Sequence, residues 1–398
     1  MSMFFSLSFA TTRSHFETQV TYCPRGMPLH QKRPAVPAAA TRTCTRRRLL
    51  PDTVAVASLC AGMCSEKHTL SNIRDRVFQH VLVAEKDVMA NTFLDANVTC
   101  SCRVKDVMDL KVMESAPGAD LVICGFPCQP FSIQGLGQGV LDKSGRGIVV
   151  YAILLYIERV LPSIFIMENV ANFARRHKQT MDDVLALLRN VKEHDDGTTN
   201  AYFVTWQILN MKTHGGLPQS RERVFIIGIR YKGRKTVHFE WPQPVPMVPL
   251  DDVLGATMML QCKRLHTYDH YPFPKAATAR KRLQEAIDEI RQVAIITGKP
   301  PTSYTAVVDT QSCKRNNSLL KGVAPCLTRS RGESFGFWSL QHGQPLTIRA
   351  MLALMGIDEA DVCVNVPPRS LGALAGNAFP VTLLTRVLRA AIKSYEED

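Results

Sequence analysis

The chain has 398 residues, of which 45% are hydrophobic, and its formal net charge is +13. This length predicts about two domains with ample apolar material for a core. No apolar run reaches the roughly 18 residues of a membrane helix, so we expect no membrane segment. The excess of Lys and Arg favours a polyanionic partner, because bound cations release counterions from a phosphate backbone.

The twelve cysteines follow no metal-binding pattern. Cys60 and Cys64, like Cys100 and Cys102, stand close in sequence, but no matching C-x-x-C pair is present. We therefore expect reduced thiols in an intracellular protein, and no metal.

Residues 1–51 contain many Arg, Ser, Thr and Pro and a single acid, Glu17. They lack a periodic apolar pattern and are predicted to be a disordered basic arm. An Arg-rich, acid-poor start is typical of a transit peptide, whereas three consecutive arginines at 46–48 favour a nuclear or nucleic-acid-binding arm. A solvated tail without function is an equal alternative. We expect a nuclear protein, with an organelle as the alternative.

From residue 54 the pattern alternates between strands and helices. Strands are predicted at 54–59, 81–84, 121–124, 164–167, 203–208 and 224–229. Helices are predicted up to Phe78, at 148–160, and at 181–191, the last with a capping box of Thr180 and Asp183. This alternation predicts an α/β fold with a doubly wound, Rossmann-like sheet in a catalytic domain at 52–230.

The alternation stops at residues 231–344, which are basic and partly proline-rich and contain one clear helix at 276–294. This region is predicted to be a smaller, mostly irregular domain. Residues 345–398 return to the first domain, with one helix opened by Thr347 and closed by Gly356. A terminal helix begins with Pro380 at its first position.

Cys128 is the candidate nucleophile. It follows the buried strand 121–124, and the loops at the carboxyl edge of such a sheet collect catalytic groups. Most cysteines are buried and inert, as Cys124 would be, but Pro127 and Pro130 present Cys128 on a stiff turn. Gly125 lets that turn begin without Cβ strain.

Three charged side chains stand at the ends of neighbouring strands. Glu168 directly follows an apolar strand, where burial would raise its pKa for proton transfer. Arg221 and Arg223 precede the strand 224–229 and point the same way. They offer donors to an oxyanion, a carbonyl or a phosphate.

In this order the motifs resemble the cytosine-C5 methyltransferase family that acts on DNA. The resemblance covers 54–229 and 345–392, and it rests on the following motifs: a glycine turn at 60–65, Glu85 ending the second strand, Pro127-Cys128-Gln129, Glu168-Asn169-Val170, Gln219-x-Arg221-x-Arg223, a basic insert, and Gly376-Asn377-Ala378-x-Pro380.

The resemblance implies that Cys128 attacks C6 of a cytosine flipped out of duplex DNA, so that C5 accepts a methyl group from S-adenosylmethionine. Glu168 would hold or protonate N3, and Arg221 with Arg223 would stabilise the carbonyl and a nearby phosphate. Glu85 would accept the ribose hydroxyls, and Asp106 with Val107 would meet the adenine, although Asp106 is alternatively a simple helix cap. The remaining implied cofactor contacts are Cys60, Ala61, Gly62, Met63, Gly125, Pro127 and Asn377.

Within the basic insert, which matches the target-recognition region of the family, six cations are candidates for phosphate or base contacts. They are Lys263, Arg264, Lys314, Arg315, Arg329 and Arg331. For any one of them, a solvated surface charge is the alternative.

The sequence departs from the family in two places. The family turn F-x-G-x-G-G has Cys64 and Ser65 at its last two glycine positions, and these side chains are expected to crowd the cofactor or to change the backbone. Lys86 replaces an apolar neighbour of the adenine. Two alternatives therefore stand beside a monomeric DNA methyltransferase. One is a catalytically silent nucleic-acid-binding homologue, and the other is a transfer-RNA cytosine methyltransferase, against which Gly125-Phe126 and the large basic insert argue.

Overall fold

The computed structural model of the protein describes residues 49–131, 142, 145–258, 263–312 and 321–397, which belong to one compact unit. The predicted arm at 1–51 lies outside the described residues apart from its last three positions.

A seven-stranded sheet forms the centre of the protein, with strand order β3-β2-β1-β4-β5-β7-β6. All pairings are parallel except those of β7, which runs antiparallel to both neighbours. The fold class predicted from the sequence is confirmed. The strands are β1 (Thr53–Leu59), β2 (Val77–Ala84), β3 (Cys102–Val104), β4 (Leu121–Cys124), β5 (Ile164–Val170), β6 (Tyr202–Asn210) and β7 (Glu222–Arg230).

Helices cover both faces of this sheet, as its continuous apolar strands require. The helices within this part of the chain are α1 (Glu66–Ser71), α2 (Val88–Asn97), α3 (Leu110–Ser115), α4 (Val149–Val160), α5 (Ala171–Arg176) and α6 (Lys178–Asn190). Along β4, Val122 and Cys124 join the core under α4 and α6, whereas Leu121 and Ile123 face the opposite core. Both faces are therefore dry, and polar groups are left to the strand ends.

The rest of the chain adds a small sheet and six helices to this frame. The small sheet is antiparallel and consists of β8 (Val307–Asp309), β9 (Phe337–Ser339) and β10 (Gln344–Pro345). The helices are α7 (Leu250–Met258), α8 (Ala277–Thr297), α9 (Arg329–Glu333), α10 (Ile348–Leu354), α11 (Pro368–Asn377) and α12 (Val381–Glu396). Leu254 of α7 shares a core with Met351 of α10, so the predicted boundary at 344 is not a break in packing.

The last two helices form a long and partly apolar segment. By length and composition, Pro368–Glu396 could cross a membrane, but 83% of its most apolar stretch is buried inside the protein. Leu384 and Leu388 of α12 pack on Val56 and Ile123 of the central sheet. This segment therefore serves as a core element of the fold.

Several predicted boundaries are wrong. The helix expected to reach Phe78 ends at Ser71, because Val77 already pairs with Thr53 of β1. Helix α6 begins at Lys178, so Thr180 lies inside it and does not cap it. Pro380 is the N-cap of α12 rather than its first residue. The sequence predicted neither the strands β3 and β8–β10, which have two or three residues each, nor the helices α2, α3, α5, α7, α9 and α11.

Candidate functional site

A cavity of about 630 Å³ opens at the carboxyl edge of the central sheet. Every predicted site residue except Met63 lines it. We call the part around Cys128, Glu168, Arg221 and Arg223 the Cys128 half. The part around Gly62, Glu85 and Asp106 is the Glu85 half. The size suits a ligand with several rings or chains, since small-molecule sites commonly have about 300–1,000 Å³.

The turn that carries Cys128 is fixed from three sides. A Cβ on Gly125 would stand 2.9 Å from the ring of Phe379, so only glycine fits there. The Asn169 side chain at the end of β5 donates to the Phe126 carbonyl at 3.1 Å. Phe126 and Phe131 pack edge-on against Phe173 at ring-centre distances of 5.2 and 4.8 Å. The thiol thus has a defined position at the cavity wall.

Glu168 and Arg223 form a buried ion pair beside that thiol. The Arg223 Nε donates to Glu168 Oε1 at 2.8 Å, and both side chains are about one-tenth exposed. Burial raises the pKa of Glu168, and it outweighs the opposing effect of the Arg223 and Arg221 charges. Burial also raises the pKa of Cys128, although Arg223 favours its thiolate. The group therefore combines a carboxyl able to hold a proton with a thiol that a cation helps to ionise.

The contacts of Arg221 differ from those predicted from the sequence. Its guanidinium is 1% exposed and donates to three main-chain carbonyls, at 2.6 Å to Leu327, 2.7 Å to Ala378 and 3.2 Å to Gly376. Both Nη groups are therefore already used, whereas the buried Nε has no hydrogen-bond partner within the described residues. Arg221 joins the loops before α9 and after α11 at the cavity wall, which makes it a positioning residue rather than a carbonyl or phosphate contact.

Cys326 is a residue of this neighbourhood that the sequence analysis did not find. Its Sγ lies 3.6 Å from Nη1 of Arg221 and 3.9 Å from Nη1 of Arg223. Burial acts to raise the pKa of Cys326, but the two guanidinium groups outweigh it and the net direction is downward. No pattern around residue 326 signals this, because the two arginines come from the far side of a long insertion.

In the Glu85 half, main-chain N–H groups hold the carboxylate of Glu85. Oε2 accepts from Gly62 at 2.6 Å, and Oε1 accepts from Lys86 at 2.8 Å and Asp87 at 2.7 Å. Oε1 thus accepts two hydrogen bonds and Oε2 one, so that Oε2 keeps a further lone pair that can face the cavity. Gly62 has φ +57°, and the position of a Cβ there has no protein atom within 4 Å. The backbone therefore leaves room for a ligand to approach closely.

Asp106 is bound on both carboxylate oxygens. Oδ1 accepts from the Met108 N–H at 3.0 Å, and Oδ2 pairs with Lys86 Nζ at 2.6 Å. The pKa of Asp106 is lowered, because these contacts outweigh its partial burial. Lys86 is 80% exposed, so the ion pair can open toward a ligand. Val107 lies beside this pair, and Asn377 ends α11 on the cavity wall.

The altered glycine turn does not crowd the cavity. Met63 and Cys64 are buried away from it, and Met63 packs with Phe93 of α2, so the structure does not place Met63 in the cavity with the other predicted cofactor contacts. The Ser65 Oγ accepts a hydrogen bond from the Phe379 N–H at 2.8 Å and so docks the start of α12. Cys64 adopts φ +52°, the left-handed backbone of the glycine it replaces. The expected obstruction by Cys64 and Ser65 is therefore wrong.

The predicted nucleic-acid contacts divide into four groups. Arg264 and Arg331 pair with Asp251 and Asp309 of their own region. Arg329 lines the cavity and pairs at 2.8 Å with Asp87, which also lines it. Lys263 is exposed. Lys314 and Arg315 lie outside the described residues.

Comparisons with known proteins agree with this geometry. A family model described as C-5 cytosine-specific DNA methylase matches residues 54–393. The Type II methyltransferase M.Bsp6I of Bacillus sp. (strain RFL6) is 25% identical over 329 residues, which cover 80% of this chain and 92% of that protein. M.HaeII of Haemophilus aegyptius is 26% identical over 290 residues, covering 73% and 78%.

Among solved structures, the crystal structure of S. pombe Dnmt2 methyltransferase is similar to this chain with a TM-score of 0.52. The two share 16% identity, and the match covers 86% of this chain and 98% of that chain. At this identity the likeness concerns the fold alone.

Proposed function

Because this chain belongs to the family of C-5 cytosine-specific DNA methylases, we propose that it methylates C5 of a cytosine flipped out of duplex DNA through a covalent Cys128 adduct. It is a DNA cytosine-5 methyltransferase, and its methyl donor is S-adenosylmethionine. The observation that carries the proposed mechanism is the shared cavity, in which Cys128, Glu168 and Arg223 face the Glu85 half.

The residues of the Glu85 half fit this cofactor. Gly62 leaves space for a close approach, Glu85 Oε2 has a free lone pair for a hydroxyl group, and Asp106 is an acceptor for an amino group. The cofactor supplies an electrophilic methyl group. The protein's own part is to bind and orient it beside Cys128.

The chemistry of the Cys128 half begins with ionisation of the thiol, which Arg223 favours. Attack of Sγ on C6 forms an S–C bond and moves an electron pair toward N3, where Glu168 in its neutral form delivers a proton. The enamine that results makes C5 nucleophilic enough to take the methyl group. The C5 proton then passes to a water molecule, Sγ departs as the thiolate, and N3 returns its proton to Glu168, so that the aromatic ring and both side chains regain their starting states.

A cytosine within a stacked duplex does not expose C6 to a group on a cavity wall, so the base must leave the helix. The basic composition of the chain supports a polyanionic substrate of this kind. Arg329, at the cavity mouth, is the described cation of the insert best placed to meet the strand.

The decisive experiment compares methyl acceptance by unmethylated duplex DNA and by total transfer RNA, using the full chain and tritium-labelled cofactor. We expect label in DNA, recovered as 5-methylcytosine. Label in transfer RNA alone would show that the substrate is transfer RNA and not DNA. Label in neither nucleic acid would contradict the proposed activity.

A second experiment isolates the covalent step. Duplex DNA with 5-fluorocytosine at the target should trap the protein irreversibly, because fluorine at C5 cannot leave as a proton does. Cys128→Ser should form no such complex. A covalent complex between Cys128→Ser and this DNA would show that another residue is the nucleophile.

A further inference from the structure

Cys64, Glu66 and His80 form a buried cluster outside the cavity, and no part of the proposed reaction uses it. We propose that these three side chains bind a divalent transition-metal ion, with zinc as the ion that suits them best. This structural site would join the turn after β1 to the middle of β2.

The geometry is close to that of a tetrahedral site. One ligand atom from each residue lies within 4.8 Å of the others, and Cys64 Sγ is 3.5 Å from His80 Nε2. Zinc bonds of about 2.0–2.3 Å place neighbouring ligand atoms roughly 3.3–3.8 Å apart. One pair therefore already has the required separation, and the carboxylate, which lies within 4.8 Å of both, needs to move inward by at most about 1.5 Å.

The buried carboxylate of Glu66 is a second, independent observation that supports a metal site. It is fully buried, and within the described part of the chain neither carboxylate oxygen has a hydrogen bond of normal geometry. Ser58, Cys64 and the main-chain N–H of Glu66 itself lie beside the carboxylate and act to lower its pKa, but none of them meets the distance and angle of a hydrogen bond to either oxygen. The cation next in sequence, Lys67, donates instead to the Asn97 carbonyl at 2.8 Å. A buried carboxylate without a partner is costly, and a metal ion is the partner that a thiol and an imidazole would share with it.

The charges of the set also balance. A thiolate, a carboxylate and a neutral imidazole carry two negative charges, which one divalent ion neutralises in a dry environment. Thiolate and imidazole together favour zinc over magnesium or calcium, which prefer oxygen ligands.

The backbone on both sides is bent in a way that brings these ligands together. Cys64 has φ +52°, a conformation that a residue with a side chain rarely adopts. The pairing of β1 with β2 shifts register directly after His80, since Val56 pairs with His80 and Ala57 with Leu82. Such irregularities re-aim side chains and collect at functional sites.

The site has an entry path. His80 lines a surface cavity of about 450 Å³, together with Lys67, Asn97 and Cys100. A water molecule from this cavity can complete the coordination as the fourth ligand. Cys100 packs against the small cluster around Cys64.

Metal analysis of the purified full chain tests the proposal. After incubation with Zn²⁺ and removal of excess ion, we expect about one zinc per chain. Cys64→Ser, Glu66→Gln and His80→Gln should each lose it, whereas the exposed controls Cys363→Ser and His266→Gln should keep it. Equal zinc content in all six proteins would overturn the assignment.

A second experiment on metal binding needs only the wild-type protein. Co²⁺ substitution should give a thiolate-to-cobalt charge-transfer band and the visible bands of tetrahedral cobalt. The competing arrangement is a neutral Glu66 carboxyl, since burial raises its pKa to about 7. A protein that binds neither Zn²⁺ nor Co²⁺ stoichiometrically would establish that arrangement in place of a metal site.

Discussion

The two halves of the cavity hold their charged groups in different ways. In the Cys128 half, Glu168 and Arg223 are 9% and 8% exposed and pair with each other. In the Glu85 half, Glu85 and Asp106 are half-buried and are bound largely by main-chain N–H groups. Charges interact strongly away from water and weakly where solvent screens them. Substitutions should therefore change the rate in the first half and cofactor affinity, by smaller factors, in the second.

The largest effect is expected for Cys128→Ser. A hydroxyl with its ordinary pKa is a far poorer nucleophile than a thiolate, so turnover should fall by roughly 10³-fold or more. Calorimetric titration with S-adenosylmethionine should give an unchanged affinity, because the Glu85 half is intact. Cys363→Ser, an exposed cysteine, serves as the control and should retain full turnover. Retained activity in Cys128→Ser would remove the assigned nucleophile.

Glu168→Gln should reduce the rate of methyl transfer by about 10²–10⁴-fold, the usual contribution of a positioned acid. The variant should also change the pH profile. The active wild-type form has a neutral Glu168 and an ionised Cys128, so kcat/KM should be level between their two pKa values and fall above that of the thiol. With Gln only the thiol titrates, and kcat/KM should rise with pH until it is ionised. Parallel profiles in the two proteins would contradict the role of Glu168 as acid.

Arg221→Met should lower stability by about 2–5 kcal/mol, since three main-chain carbonyls lose a buried, charged donor. Urea unfolding monitored by circular dichroism measures this. Arg176→Met, an exposed arginine, should change the free energy of unfolding by no more than about 0.5 kcal/mol. A stable Arg221→Met protein that lost only DNA affinity would return Arg221 to the substrate contact predicted from the sequence.

Some residues of the two halves could be placed from the sequence alone, and others could not. Short apolar strands are readable, and a polar residue directly after one stands out, so Glu85 and Glu168 could be placed at the sheet edge. The partners of Arg221 could not be, because its three carbonyls lie 106 to 157 positions away.

The cluster of Cys64, Glu66 and His80 could not be predicted from the sequence for the same reason. Its spacing matches no metal motif, and only the pairing of β1 with β2 brings His80 to the turn. The absence of a metal, expected from the cysteine spacing, is the prediction that the proposed site would overturn. The compartment and the monomeric state stay predictions.

In the Glu85 half, Glu85→Ala should weaken cofactor binding by about 10–100-fold, the loss of hydrogen bonds to one charged acceptor. The affinity for DNA should not change, because the described hydrogen bonds of the Glu85 carboxylate go to main-chain N–H groups and not to Arg223 or Arg329. Titration of each ligand separately measures both. Equal loss of the two affinities would indicate a collapsed cavity rather than a ribose contact.

The smallest effect is expected for Lys86→Met, and its sign is opposite. Lys86 Nζ occupies Asp106 Oδ2 at 2.6 Å, but it is 80% exposed, and such pairs contribute about 0–1 kcal/mol. Its removal frees the acceptor for the adenine amino group and restores an apolar neighbour, so cofactor affinity should rise by up to about fivefold. Raised salt should weaken the wild-type ion pair and narrow the difference between the two proteins. Weaker binding in Lys86→Met would instead make Lys86 itself a cofactor contact, and the Glu85 half would then depend on a side-chain charge as the Cys128 half does.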